Sequence, residues 1–324
     1  MKLFSASRLE TFQNCKLRGY YAYVCYWKPQ TRSSYAADFG SCIHAALDGI
    51  ATAENKKDAL ERGLVRFNSK WHELEMPEGE EFDRNLDDLR AHTPTVAKAI
   101  LEGYIAKNFA RNKMLKLLSV EQEFVLPFLK FGKEDIFIRG KIDKIYKSAP
   151  GVRGIDHKTT SAYKAPGNFR DDFLSSFYPN DQMTLYSWIL GTLFGNMGEN
   201  EMIVDAILVW ENAKGTVTAY TQLPLTHSEE DIEQWKISTT SVICDILPRV
   251  DEVPTEHLVG NLQENILSYF PRNTSHCIGK YGRCPYYQLC AYNSKPLLPM
   301  TEPPPGYEFD QKRFEEDQRY EKRL

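Results

Sequence analysis

The chain has 324 residues, a formal net charge of −4 and the apolar, aromatic and charged fractions of a globular protein, which exclude wholesale disorder and allow one or two domains. No apolar run is long enough to span a bilayer and no signal-peptide pattern follows Met1, so we expect a cytoplasmic protein. Seven cysteines, an odd number without an export signal, favour metal or redox chemistry over a disulfide framework.

The chain is predicted to begin with two helices that carry potential metal ligands. Ser7 and Glu10 have the spacing of a capping box at the start of the first helix, and Cys15 falls on its apolar face. His44 lies on the second predicted helix. A single buried cysteine or helix histidine is more often a core residue than a ligand, so only a metal site elsewhere in the chain would give these two a further role.

The pattern changes from helix to strand near Ser119. Residues 51–118 are rich in helix formers and contain an acidic loop at 73–88, and we interpret them as a helical insertion. From Ser119 onward, apolar and polar residues alternate as they do in strands. Glu121 and Glu123 share one face of the first of these strands, and either of them could reach a site formed by the strands that follow.

The most informative stretch is Gly140–Lys158, which reads as two strands joined by a polar turn at 148–151. Side chains alternate along a strand, so Asp156 and Lys158 project from the same face, and Asp143 on the preceding strand adds a second carboxylate. Two carboxylates and a lysine suit Mg²⁺- or Mn²⁺-assisted hydrolysis of a phosphodiester. The alternative is an ordinary hairpin in which these acids face solvent and the lysine pairs with one of them.

Local charge favours a nucleic-acid substrate at this hairpin. Residues 128–164 contain nine Lys and Arg against four Asp and Glu, although the whole chain is slightly acidic. Further on, Gln182 and Tyr186 are one helical turn apart on a predicted amphipathic helix, where their polar ends emerge on one face. A second hairpin at 202–223 should complete the sheet, and residues 227–269 are predicted to be helical.

Three cysteines lie close together near the end of the chain. Cys277, Cys284 and Cys290 are enclosed by glycine, proline and tyrosine residues, a setting that favours a metal centre over core packing. A tetrahedral centre needs a fourth ligand, which Cys15 could supply. Zinc would accept the same four sulfurs, or three of them with His276, so the spacing does not choose the metal.

Several weak signals occur in one order along residues 3–292: a cysteine, a helix histidine, a Gly-x-x-Asp strand, an Asp-x-Lys strand, a Gln-x-x-x-Tyr helix and three cysteines. This order resembles the RecB-like, iron–sulfur branch of the PD-(D/E)xK nuclease superfamily, which includes the AddB nuclease domain, CRISPR-associated adaptation nucleases and phage exonucleases. The resemblance implies an α/β (α+β) fold, in which a restriction-endonuclease-like core has a mixed central β-sheet flanked by helices.

The resemblance also assigns a role to each matching position. It implies a Mg²⁺ or Mn²⁺ site with these ligands: His44, Asp143, Asp156 and the backbone carbonyl of His157. Lys158 would position or activate water, and Gln182 with Tyr186 would align the DNA backbone. A [4Fe-4S] cluster would hold the chain ends together through these thiolates: Cys15, Cys277, Cys284 and Cys290. Two departures are the wide spacing of six residues between the first two C-terminal cysteines, and Ile142 in place of the superfamily's proline.

From these inferences we predict a single RecB-like nuclease domain over residues 1–295, followed at 296–324 by a proline-rich linker and a weakly packed, charged tail. Its parts are a helical insertion, a catalytic core and a helical C-terminal part with the cysteine cluster, at residues 51–118, 119–225 and 226–295.

The predicted activity is metal-dependent exonuclease cleavage of single-stranded DNA or duplex ends in recombination, repair, or phage or CRISPR DNA processing, within a bacterial or phage-infected host cytoplasm. The alternative is a DNA-binding subunit of a larger complex, with a nuclease-like fold and little or no cleavage. The sequence has no Gly-x-x-x-x-Gly-Lys-Ser/Thr phosphate loop, so a helicase would have to be a partner protein, as would recombination or CRISPR components.

Overall fold

The computed structural model describes residues 2–31, 35–76, 91–149, 151–161, 163–165, 168–195, 200–212, 215–253, 262–279, 282–292 and 302–322. The helices are α1 (Ala6–Asn14), α2 (Lys16–Tyr23), α3 (Tyr35–Ala51), α4 (Lys56–Glu73), α5 (Pro94–Lys113), α6 (Asp171–Ser175), α7 (Asp181–Phe194), α8 (Glu229–Glu252), α9 (Leu262–Tyr269), α10 (Tyr287–Tyr292) and α11 (Gln311–Glu321). Most of the acidic loop predicted at 73–88 lies outside the described residues.

The strands are β1 (Leu3–Phe4), β2 (Trp27–Pro29), β3 (Lys116–Phe131), β4 (Glu134–Lys147), β5 (Val152–Thr160), β6 (Tyr163–Ala165), β7 (Asn168–Phe169), β8 (Glu201–Asn212), β9 (Gly215–Leu225), β10 (Ile278–Gly279), β11 (Gly282–Arg283) and β12 (Tyr307–Phe309). The chain forms two compact units. One contains residues 1–33, 125–139 and 233–324, and the other contains residues 34–124 and 140–232.

A mixed sheet with the strand order β1-β4-β5-β8-β9, and with β3 beside β4, confirms the predicted fold class. Strands β4 and β5 are antiparallel, as are β8 and β9, because each pair is joined by a tight hairpin. Strands β5 and β8 are parallel, and the connection between them contains α7. The hairpin predicted from Gly140 to Lys158 is therefore present, as is the second predicted hairpin.

In the unit of residues 34–124 and 140–232, helices cover both faces of the sheet. Residues of α3, α4 and α5 form a continuous buried core with Ile207, Val209 and Tyr220 of β8 and β9. On the opposite face, α7 lies close to Gly140 of β4, where a Cβ atom would be 2.7 Å from Cδ1 of Ile189. A larger residue here would force the Ile189 side chain to move, with the Tyr186 ring also in close contact.

The unit of residues 1–33, 125–139 and 233–324 departs from two of the predictions. Helix α1 begins two residues earlier than expected, since Ser5 and not Ser7 is its N-cap and accepts a hydrogen bond from the backbone N–H of Arg8. The predicted continuous helix through Cys15 is wrong, because Cys15 is extended and separates α1 from α2. Its thiol is consequently half-buried between two helices.

The prediction of a weakly packed tail is also wrong for residues 302–322. Strand β12 pairs antiparallel with β2, and α11 buries Asp317 and Tyr320. Asp317 forms an ion pair with the buried guanidinium of Arg8 and accepts a hydrogen bond from the Tyr26 hydroxyl at 3.0 Å. A charged sequence concealed this packing, because only Asp317 and Tyr320 of the eleven residues in α11 are buried.

Candidate metal centre

The central hairpin positions two buried carboxylates near its base. The polar turn closes with a hydrogen bond from Ser148 N to Gly151 O at 2.9 Å, and residues 144–147 of β4 then pair with residues 152–155 of β5. Beyond this ladder, Oδ2 of Asp143 accepts a 2.7 Å hydrogen bond from the backbone N–H of His157. Asp143 and Asp156 are 5% and 3% exposed, so neither faces solvent as an ordinary surface hairpin would require.

Helix α3 brings an imidazole to the first of these carboxylates. Nδ1 of His44 lies 3.3 Å from Oδ2 of Asp143. Glu121 of β3 completes a set in which one ligand atom from each of these three residues lies within 4.8 Å of the other two. Opposite ligands of a Mg²⁺-sized ion are about 4.2 Å apart, so an imidazole and two carboxylates at this spacing fit a hard divalent cation.

Electrostatics couple His44 to the carboxylates. Burial on its own lowers the pKa of His44, but the hydrogen bond and negative charge of Asp143, with the charge of Asp156, raise it above its usual value. For Asp143, burial acts to raise the pKa, yet the hydrogen bond and charge of His44, aided by His157, hold it well below the usual range. Asp143 is therefore ionised at neutral pH and available as a ligand.

The second carboxylate belongs to a chain of polar side chains that reaches α7. Oδ2 of Asp156 lies 2.7 Å from Nζ of Lys158, as the strand alternation predicted. Lys158 donates to Oε1 of Gln182 at 3.1 Å, and Nε2 of Gln182 donates to the Tyr186 hydroxyl at 2.8 Å. The structure thus brings together the Asp-x-Lys and Gln-x-x-x-Tyr residues. Their hydrogen bonds fix the position of the Lys158 amine.

Burial is the main influence on the groups of this chain. It raises the pKa of Asp156, while the Lys158 ammonium opposes the increase and the nearby Asp143 adds to it. Burial also raises the pKa of Tyr186, so its hydroxyl stays protonated. Asp156 is paired with Lys158 and lies outside the set of three ligand atoms formed by His44, Glu121 and Asp143.

Sequence reasoning missed a second polar network on the other face of β5. Nζ of Lys144 lies 2.6 Å from Nε2 of His157, and Nδ1 of that ring is 3.3 Å from Oδ2 of Asp205. The Tyr104 hydroxyl donates to the same oxygen of Asp205 at 2.6 Å. Asp205 is the only charged residue in the otherwise apolar segment Met202–Leu208. A single acid in such a strand indicates a buried carboxylate that needs a polar partner, and this was the sequence signal for the network.

This network fixes the strand that supports the site. Burial, followed by the charge of Lys144, lowers the pKa of His157 to about 4, so the ring is neutral and accepts from the lysine through Nε2. Asp48, one turn after His44 on α3, has a pKa raised to about 7, chiefly by burial, although the charge of Lys144 opposes this. The backbone N–H of His157 holds Asp143, so the side-chain network on one face stabilises a carboxylate on the other.

The four cysteines assigned by resemblance all lie in the unit of residues 1–33, 125–139 and 233–324. Sγ of Cys15 accepts a hydrogen bond from the backbone N–H of Asn273 at 3.3 Å, and Cys284 N donates to Cys277 O at 2.8 Å. Burial raises the pKa of Cys290 to about 11, and the charges of the other three thiols add to this. Of the residues that the structure describes, however, no three sulfurs fall within 4.8 Å of one another.

Comparisons with known proteins identify the family of the chain. A family model described as the PD-(D/E)XK nuclease superfamily matches residues 3–291. A crystal structure titled as that of SSO0001 is similar, with 16% sequence identity over 81% of this chain and 93% of the other, at a TM-score of 0.25. No curated protein matches. The family match defines a metal-dependent nuclease, and the chain belongs to the PD-(D/E)XK nuclease superfamily.

Membership settles the broad class of activity and of cofactor. PD-(D/E)XK nucleases hydrolyse phosphodiesters with divalent cations such as Mg²⁺ and Mn²⁺, and His44, Glu121 and Asp143 are placed to hold one. Within the described ranges, the helices include none that is both long and apolar enough to cross a bilayer.

Proposed function

We propose that this nuclease is a deoxyribonuclease that acts on single-stranded DNA or duplex ends as an exonuclease. The observation that carries the proposal is that two buried carboxylates, Asp143 and Asp156, are each paired with a partly exposed cationic or imidazole group, Asp143 with His44 and Asp156 with Lys158. A site of two carboxylates and an amine suits phosphodiester hydrolysis, because the carboxylates can bind a cation beside the lysine that positions the attacking water. The excess of basic residues at 128–164 supports an anionic substrate.

In the proposed mechanism, His44, Asp143 and Glu121 would hold the divalent cation, with Asp156 and the His157 carbonyl as further ligands. When bound there, the cation would polarise the phosphate and lower the pKa of water. Asp156 and Gln182 accept hydrogen bonds from Lys158 and so orient the amine, which would position and activate the attacking water.

Gln182 and Tyr186 have a supporting role in the proposal. Both polar groups of the Gln182 amide are engaged, one with Lys158 and the other with the Tyr186 hydroxyl. The pair therefore limits the rotamers of the lysine before any substrate arrives, and the exposed part of the same helix face would align the DNA strand.

Digestion of end-labelled single- and double-stranded DNA with Mg²⁺ or Mn²⁺, beside a chelator control, tests the activity. Stepwise loss of the labelled end with cation, and none with chelator, is the expected result. Asp156→Ala and Lys158→Ala should abolish cleavage while DNA binding persists. Wild-type protein that binds DNA but leaves it intact with either cation would replace this proposal with the rival one, a DNA-binding subunit.

We also propose that Cys15, Cys277, Cys284 and Cys290 hold a [4Fe-4S] cluster. The other three thiols all act to raise the pKa of Cys290, and the hydrogen bond from Asn273 N–H to Sγ of Cys15 brings the first cysteine to the C-terminal segment. Anaerobically purified protein should be brown, absorb visible light and contain iron, and Cys284→Ser should lower iron content and stability before it affects cleavage. A colourless protein that contains zinc would assign the same sulfurs to Zn²⁺.

We further propose that separation of the DNA strands comes from a helicase partner, or from recombination or CRISPR partner proteins.

A further inference from the structure

One carboxylate of the cation site has a second partner. Glu121 forms an ion pair with Nζ of Lys141, and its carboxylate is also one of the three groups whose ligand atoms lie within 4.8 Å of one another. The ammonium therefore holds the same carboxylate that faces His44 and Asp143. In a cation-free protein, Lys141 supplies part of the positive charge that this group of acids requires.

The backbone explains how Glu121 reaches this position. Glu121 has a φ of 51°, a left-handed conformation that is rare for a residue other than glycine and that interrupts the regular alternation of β3. Lys141 precedes Asp143 by two residues on β4, so the two side chains project from the same face of that strand. Strand geometry thus places the Lys141 side chain at the edge of the site.

Accessibility separates this ion pair from the buried parts of the centre. The side chains of Glu121 and Lys141 are 33% and 49% exposed, whereas those of Asp143 and Asp156 are 7% and 4% exposed. A lysine has a flexible four-carbon stem and three donors, so it can change partners without movement of the backbone. Lys141 can therefore reach a phosphate lying at the entrance of the site.

We propose that Glu121 is exchanged between Lys141 and the divalent cation, and that the released Lys141 binds a phosphate of the substrate strand. The inference rests on the proposed function, because the exchange partner is the nuclease cation. A bound cation neutralises the carboxylate and repels the ammonium, so the ion pair weakens as the cation enters. Cation binding therefore frees Lys141 to contact a phosphate, and DNA is bound tightly only when the cation occupies the site.

Cation affinity without DNA tests the first half of the proposal. Calorimetric titration of the full-length chain with Mn²⁺ should show weaker binding for Glu121→Gln, and binding about threefold tighter for Lys141→Met, the size of a lost surface ion pair. Simple removal of a positive charge would also tighten Mn²⁺ binding. The double variant Glu121→Gln/Lys141→Met separates this explanation from exchange. Exchange predicts that Lys141→Met gives no gain in Mn²⁺ affinity when Glu121 is absent, whereas the same gain in both backgrounds would show general charge repulsion and overturn the proposal.

DNA affinity tests the second half. Fluorescence anisotropy with a short labelled single strand is measured over a range of salt concentrations, once with a chelator and once with Ca²⁺, which takes the same oxygen ligands. With Ca²⁺, Lys141→Met should lower the salt slope by roughly 0.7, the value for one lost phosphate contact on a single strand. With the chelator, Lys141→Met should match the wild type, because Glu121 still holds the lysine.

Lys98→Met is the matched control, since Lys98 is an exposed lysine paired with Glu102 on α5. An equal loss for Lys141→Met with and without cation, or a loss equal to that of Lys98→Met, would refute the exchange. Failure of wild-type protein to cleave DNA, with the exchange signature present, would instead remove the nuclease proposal and leave this ion pair as a cation-dependent DNA contact.

Discussion

Lys158→Met removes the amine of the proposed site while keeping most of the volume of the side chain. Lys158 is held at 2.7 Å from Oδ2 of Asp156 and 3.1 Å from Oε1 of Gln182. Positioned proton transfer contributes about 10²–10⁴-fold to a rate. The variant should therefore lose that factor in the cleavage step, which corresponds to a barrier higher by about 2.7–5.5 kcal/mol.

The same substitution should lower stability in a way that depends on the cation. It leaves the buried carboxylate of Asp156 without its ammonium partner, and a hydrogen bond to a charged group contributes about 1.5–3 kcal/mol. Because the Lys158 side chain is 30% exposed, screening by solvent reduces the expected loss to roughly 1–2 kcal/mol. A divalent cation near Asp143 supplies positive charge, so the loss should be smaller with Mn²⁺ than with a chelator.

Single-turnover cleavage measures the first effect, and urea unfolding with a chelator or with Mn²⁺ measures the second. Lys147→Met is the control, because Lys147 is an exposed lysine at the end of the neighbouring strand, β4, and should change neither quantity. Cleavage by Lys158→Met within about threefold of the wild type would refute the assignment of the amine, since even the weakest positioned proton transfer contributes more.

Three further substitutions and conditions give clear expectations. Asp143→Asn should weaken Mn²⁺ binding and, like chelation, reduce cleavage by at least about 10³-fold, and unaltered Mn²⁺ affinity would contradict its role as a ligand. His157 has a pKa lowered from 6.5 to about 4, so stability present above pH 6.5 should fall as the pH drops toward 4, by roughly 3 kcal/mol at most; urea midpoints that stay level over this range would contradict the buried neutral ring. Gly140→Ala should cost about 1–3 kcal/mol in unfolding free energy, because its methyl group would overlap Ile189; wild-type stability would show that α7 can shift freely.

Regular periodicity explains which parts of the site could be predicted. The period of two along β5 placed Asp156 beside Lys158, and the helical spacing of Gln182 and Tyr186 placed their polar groups together, so both contacts followed from local geometry. The hairpin was likewise specified by its own turn residues. In each case the deciding interaction lies within one element or between neighbours in the chain.

Interruptions of periodicity explain what was missed. Alternation along β3 made Glu121 and Glu123 equivalent, but the left-handed backbone at Glu121 breaks that equivalence and brings only this glutamate into the three-ligand set. The partnership of Lys144 with Asp205 joins strands far apart in the chain, and no local spacing encodes it. Charge patterns near the C-terminal end also suggested exposure, since a sequence does not reveal which acid will meet a buried arginine.

The ion pair between Arg8 and Asp317 has a practical consequence for anyone preparing this protein. The prolines at 303–305 look like a natural place to shorten the chain for crystallisation, but doing so would discard Asp317 and strand an enclosed guanidinium without a counter-charge, at a cost of about 3–5 kcal/mol. The shortened protein should therefore unfold at a lower urea concentration than the full chain.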